Sequence, residues 1–169
     1  MARQIVYRGR VVELGIEDAV LPGGAEVRLE IIRHQGAAGV VPVHGDGTVT
    51  LVRQYRHAAG GVIWEIPAGV LEPGESPEEC AARELSEEVQ LQGELQALGS
   101  IFTTPGFTDE RIWLFLACSL GPSPGRPDAD EALEPFRLPF SEALDMVRRG
   151  EITDAKTICA LHLAAAKLG

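Results

Sequence analysis

Ser76-Pro77-Glu78-Glu79 constrains this chain more than any other segment, because it allows one local outcome: the start of a helix. Serine is a favoured N-cap, and proline suits the first helical position, where its missing N–H has no partner to lose. Glu79 completes a capping box, and Glu78 with Glu79 complements the positive end of the helix dipole. Downstream, at 100° per residue with Glu84 as origin, Glu88 falls at about +40° and Glu87 at about −60°, so three carboxylates share one stripe. Ala81, Leu85 and Val89 form an adjacent apolar stripe that should face the core. Arg83 stands four residues from both Glu79 and Glu87 and can pair with either. Like charges at these spacings repel, and a hard divalent cation such as Mg²⁺ or Mn²⁺ would reverse that penalty. A solvated acidic helix face is the alternative.

The charge distribution sharpens the question. The 169 residues carry a formal net charge of −10. Eight acids against the single base Arg83 lie between Glu65 and Glu88, and Asp128, Asp130, Glu131 and Glu134 form a second acidic concentration. The rest of the chain is close to neutral. Such a balance argues against a protein that grips nucleic acid by counterion release, which needs Lys and Arg. A hydrophobic fraction of 45% and a charged fraction of 24% are globular values. No apolar run approaches the roughly 20 residues that span a bilayer, and the N-terminus lacks the apolar stretch of a signal peptide. Cys80, Cys118 and Cys159 form no CxxC pair and read as small buried side chains in a reducing compartment. The expectation is a cytoplasmic protein without membrane or nucleic-acid partners.

Residues 66–75, Ile-Pro-Ala-Gly-Val-Leu-Glu-Pro-Gly-Glu, place a Gly/Pro-rich loop before the helix, where glycine permits close approach of backbone to a ligand. Gly69, five residues, Glu75, seven residues, then Arg83-Glu84-Leu85-Ser86-Glu87-Glu88-Val89-Gln90-Leu91 resembles the Nudix box, Gly-x5-Glu-x7-Arg-Glu-U-x-Glu-Glu-x-Gly-U, where U is bulky and apolar. One fixed position departs: Gln90 stands where glycine usually gives the helix a left-handed end, at a cost of about 1 kcal/mol if Gln adopts that conformation.

The resemblance implies a Nudix-type α/β/α sandwich, α/β or α+β in class, with a mixed sheet, and a hydrolase of nucleoside diphosphates linked to another moiety. It implies Glu84 and Glu88 as principal ligands of Mg²⁺ or Mn²⁺, two to three ions in all. Glu87 would be a further ligand or organise water, and the Ala68 carbonyl would supply an additional metal contact. Gly69, Glu75 and Arg83 would fix the loop–helix geometry.

Outside the box, Val52-Arg53-Gln54-Tyr55-Arg56, Trp64-Glu65-Ile66-Pro67-Ala68-Gly69 and Thr104-Pro105-Gly106-Phe107-Thr108-Asp109-Glu110 look like the ADP-ribose pyrophosphatase branch. The implied reaction is hydrolysis of ADP-ribose to AMP and ribose 5-phosphate. Rival readings are another nucleoside diphosphate sugar, FAD or a dinucleoside polyphosphate as substrate, or a nucleotide sensor without catalysis. Arg56 and Arg53 could contact phosphate through charged forks, or be surface arginines on a strand. Glu65 could bind nucleotide or metal. Gly106 lies in the substrate-side loop, where Glu110 could meet ribose hydroxyls or be a solvated acid. Glu131, then Asp130, are the candidate bases, against a solvated acidic turn. His57 and His162 read as structural, and Trp64 and Trp113 as core.

Coarse patterning places strands at 11–20 and 26–33 as a hairpin, 38–43 and 48–54 as a second hairpin around Gly45-Asp46-Gly47, and 62–66, 95–103 and 112–118 beyond. Helices are expected at 77–89, 141–149 and 154–167. Residues 121–127 read as a surface loop, because three prolines there should exclude regular pairing. Residues 1–169 read as one domain, with strands in about 1–35 able to serve a homodimer, as relatives in that branch do.

Overall fold

A computed structural model of the chain describes residues 3–9, 12–125 and 133–169. Its centre is β4 (Ala37–Pro42), a strand buried at all six residues. A run of small and branched apolar residues suits that position, since neither face can meet water. β4 runs parallel to β9 (Arg111–Pro122) and antiparallel to the short β7 (Ala68–Val70), and β8 (Leu91–Phe102) completes the order β7-β4-β9-β8. Alternation then sorts the side chains. Ala38, Val40, Phe115 and Ala117 join one core with Cys80, Ala81, Leu85 and Val89 of helix α1 (Pro77–Val89). Val41, Ile112, Leu114 and Leu116 join another with α2 (Phe140–Arg148) and α3 (Ala155–Leu168) through Ala143, Met146, Ala160, Leu161 and Ala164. Helices therefore cover both faces, and the expected α/β/α sandwich with a mixed sheet is what forms.

A second antiparallel sheet has the order β10-β5-β6, from β5 (Thr48–Arg56), β6 (Gly61–Glu65) and β10 (Leu133–Pro139). This corrects the expected second hairpin. Its tight turn exists, with His44 O accepting from Gly47 N at 2.9 Å, but β4 and β5 share only the bridge Val43–Val49 before entering different sheets. Both edges of β4 are taken by β7 and β9, and both edges of β5 by β6 and β10, so they cannot pair with each other.

Two other expectations change. Pro122 pairs with Leu91 and Gly121 with Gln92, so the proline-rich loop begins later than expected; proline is tolerated there because it ends the strand. The 66–75 segment contains β7, three residues hydrogen-bonded to β4, rather than loop throughout. The N-terminal hairpin forms as β2 (Glu13–Val20) and β3 (Glu26–Arg33), and β1 (Arg3–Arg8) extends it to a separate three-stranded sheet. That sheet docks through Ile32 N donating to Phe107 O at 2.8 Å and Arg33 Nη1 donating to Asp109 Oδ2 at 2.8 Å.

Candidate active site

The capping box at the start of α1 is complete: Ser76 N donates to Glu79 Oε2 at 2.8 Å, and Glu79 N donates to Ser76 Oγ at 3.3 Å. Glu79 is thereby committed to the cap, and Arg83 turns to other acids. Its guanidinium donates to Glu75 Oε1 (2.8 Å) and Oε2 (3.1 Å), to Glu84 Oε1 (2.6 Å) and to Glu87 Oε2 (3.1 Å). Nη2 also reaches Val70 O at 3.2 Å, tying the helix to β7. Hydrogen bonding from Arg83 draws the Glu75 carboxyl down to about 2.

The acidic stripe divides in the folded chain. Glu84 and Glu88 are buried against β7, only 7% and 4% exposed, whereas the Glu87 side chain is 38% exposed. Glu88 Oε2 accepts from Ala68 N at 3.3 Å. A Cβ built on Gly69 would overlap the Glu84 carboxylate, so glycine is what lets that acid lie on the strand. Two carboxylates beside the Ala68 backbone are hard oxygen donors of the type that suits Mg²⁺ or Mn²⁺. Among the described residues no three acid, His or Cys side chains stand ready as a metal cluster. Arg83 draws Glu84 and Glu87 together instead.

Beside this stretch lies a cleft of about 420 Å³, whose lining includes Arg56, Ala68, Gly69, Thr103, Glu110 and Lys156. Arg56 grips Glu65 as a fork, Nε to Oε1 and Nη2 to Oε2, both 2.8 Å. Lys156 Nζ approaches the same carboxylate, 2.7 Å from Oε2, and lies 3.1 Å from Asp154 Oδ2. Burial pushes the Glu65 carboxyl up, but Arg56 and Lys156 together outweigh it and hold the group ionised, below the ordinary carboxylate range. Across the cleft, Glu110 accepts from Thr103 Oγ1 at 2.8 Å and lies 3.6 Å from His34 Nε2.

The structure thus gathers Arg56, Ala68, Gly69 and Glu110 around one cleft, next to Glu84 and Glu88. Glu65 stands behind Arg56, with both oxygens engaged by cations rather than turned to a ligand. Arg53 is not beside Arg56: three positions apart on a strand they take opposite faces, and Arg53 lies over the rings of Trp64 and Phe136 at 5.5 and 5.7 Å. Gly106 occupies the turn after β8, where Phe107 N donates to Thr104 O at 3.1 Å, and does not line the cleft. Glu131 and Asp130 lie outside the described residues. Trp64 and Trp113 pack at the edges of the two cores, as expected. Lys156, Asp154, Thr103 and His34 were not anticipated. For Lys156 a signal existed: a cation in the first turn of a helix opposes the dipole and so calls for another partner.

The family model for the NUDIX domain matches residues 33–161. The ADP-ribose pyrophosphatase of Bacillus subtilis (strain 168) is 38% identical over 165 residues, covering 96% of this chain and 89% of the relative. The methanol dehydrogenase activator of Bacillus methanolicus is 39% identical over 160 residues, covering 93% and 86%. A solved structure described as an ADP compounds hydrolase superposes with a TM-score of 0.85 at 25% identity, over 99% of this chain and 92% of that one. With the box residues folded as described and the match spanning most of the chain, this protein belongs to the Nudix hydrolase family.

Proposed function

We propose that the protein hydrolyses the pyrophosphate bond of ADP-ribose, giving AMP and ribose 5-phosphate, with Mg²⁺ or Mn²⁺ as cofactor. The observation that carries this reading is the buried pair Glu84 and Glu88 against β7, adjoining a cleft that Arg56 and Glu110 line. The likeness to the ADP-ribose pyrophosphatase of Bacillus subtilis supports the choice of substrate.

Glu84 and Glu88, with the Ala68 carbonyl and Glu87 at the rim, would hold the two to three cations. Bound there, divalent ions supply charge neutralisation of the diphosphate and a more acidic water. Arg56 meets a phosphate oxygen with a charge-assisted hydrogen bond, while Glu65 holds the guanidinium in place. Glu110 accepts from ribose hydroxyls. Arg83 and Glu75 keep α1 fixed on β7, and Gly69 leaves room for Glu84. Glu131, or Asp130, takes a proton from the attacking water. Residues 1–169 work as one cytoplasmic unit, paired as a homodimer, on a small nucleotide rather than on nucleic acid or membrane.

A substrate panel with Mg²⁺ and with Mn²⁺ tests this: ADP-ribose, GDP-mannose, FAD and a dinucleoside polyphosphate. ADP-ribose should give the highest kcat/KM. A preference for another member would reassign the substrate, and no turnover of any would make the protein a sensor.

A further inference from the structure

Lys156 stands at the second position of α3, in a first turn that holds no acidic residue. The dipole there disfavours a cation, and its side chain is only 12% exposed, an uncommon state for lysine unless it is paired. The pairing explains the placement. Nζ donates to Glu65 Oε2 at 2.7 Å and lies 3.1 Å from Asp154 Oδ2. Asp154 is the N-cap of α3, accepting from Thr157 N at 3.0 Å and Thr157 Oγ1 at 2.6 Å. Thr157 Oγ1 in turn accepts from Ile66 N at 2.9 Å. Asp154, Lys156 and Thr157 therefore fasten the start of α3 to Glu65 and Ile66, immediately before Ala68 and Gly69.

Glu65 is the hinge of this arrangement. Its carboxylate accepts the Arg56 fork on one side and the Lys156 ammonium on the other. The fork takes two of the five guanidinium N–H groups of Arg56 and leaves Nη1 on the opposite edge. The Arg56 side chain is 43% exposed and lines the cleft, as Lys156 does.

We propose that Lys156 is a positioning residue for Arg56 that acts through Glu65, sharing the carboxylate so that the guanidinium presents its outer edge to the diphosphate of a nucleotide substrate. This rests on the hydrolase reading above. Without the ammonium, Glu65 has Arg56 as its one cation among the described residues, and the guanidinium is drawn further onto that carboxylate and away from the cleft. The loss falls on substrate binding, because the Arg56–phosphate contact is made in the ground state as well as the transition state.

The test is a double-variant cycle of Lys156→Met and Arg56→Gln. It is read as KM and kcat on ADP-ribose with Mg²⁺, and as Kd for ADP-ribose by calorimetry in EDTA. Melting curves accompany each variant. Lys156→Met should raise KM and Kd about 10-fold, the scale of one weakened charge-assisted hydrogen bond, with kcat changed less than about threefold. Lys156→Arg should restore both constants to within about threefold of wild type. In the Arg56→Gln background, Lys156→Met should add nothing, because the two act in series. Unchanged constants in Lys156→Met overturn the proposal. So do losses that multiply in the double variant, which would make Lys156 an independent contact. Should Lys156→Met not fold, Lys156→Gln takes its place with the same outcomes. Absence of turnover in wild type would overturn the hydrolase reading alone, since the calorimetric cycle needs no turnover.

Discussion

At the residue scale, the site depends on how closely a carboxylate can lie on a strand. Gly69 has no Cβ, and the Glu84 side chain fills the space one would take. Gly69→Ala should therefore displace Glu84 and reduce kcat by about 100-fold, the scale at which a misplaced catalytic group costs rate. Circular dichroism would check that the variant is folded, and a folded variant with wild-type kcat would contradict this role. Gln90 shows the opposite economy. Its backbone sits at φ 56° and ψ 37°, the left-handed region that the box position normally gives to glycine. The side chain is exposed and the conformation is strained, so Gln90→Gly should stabilise the protein by about 1 kcal/mol. Urea unfolding measures that, and an unchanged or lower midpoint would refute it. The departure was visible in the sequence; that Gln90 would take the left-handed conformation was not, and only the folded chain shows it.

At the element scale, α1 was legible to the residue because its determinants are local: Ser76, Pro77 and Glu79 at one end, and the Ala81–Leu85–Val89 stripe along its length. Pairings between strands were less so. The alternation in 38–43 and 48–54 correctly indicates two strands, but nothing local says that β7 and β9 occupy the edges of β4. β10 went unseen because Pro135 and Pro139 argue against a strand, whereas β10 is an edge strand among the described residues, paired with β5 on one side, and can tolerate prolines. Lys156 was missed for a related reason, its partner Glu65 being 91 positions away. For Arg83, helix spacing offered Glu79 and Glu87 and the resemblance implied Glu75; Glu87 and Glu75 are taken, Glu79 goes to the cap, and the Glu84 contact is the unforeseen one. The Arg83–Glu75 pair joins α1 to the loop before it and gives a pH signature. Glu75 is held at about 2 in the folded chain against an ordinary 4.5. Its folded value is the lower one, so the pair's contribution is complete above 4.5 and is lost as pH falls from there towards about 2. Melting temperatures of wild type and Glu75→Gln should converge across that window; a constant difference would contradict the assignment.

At the scale of the whole molecule, the N-terminal sheet stands apart from the sandwich and leaves Ile5, Val6, Tyr7 and Val20 between 45% and 65% exposed. Apolar side chains gathered on one small sheet suit a covered surface. A second copy of the chain is the expected cover, and sedimentation should give twice the 18.1 kDa chain mass. Val6→Asp should shift the protein to monomer; a wild-type monomer would remove this role from the sheet. The acidity also has a place in the whole. Much of it is concentrated in α1 and the loop before it, where Glu75, Glu84 and Glu87 surround Arg83 and Glu88 lies on β7, beside the cleft that Arg56 and Lys156 line. Divalent cations bound there would reverse the sign of the acidic side and add to Arg56 in holding an anionic substrate. The most direct measurement is AMP released from ADP-ribose with Mg²⁺, followed by chromatography for wild type and Glu88→Gln. Wild type should release AMP and ribose 5-phosphate in equal amounts, and the variant should do so at a rate at least about 100-fold lower. Absence of AMP from wild type, or an undiminished rate in Glu88→Gln, would contradict it.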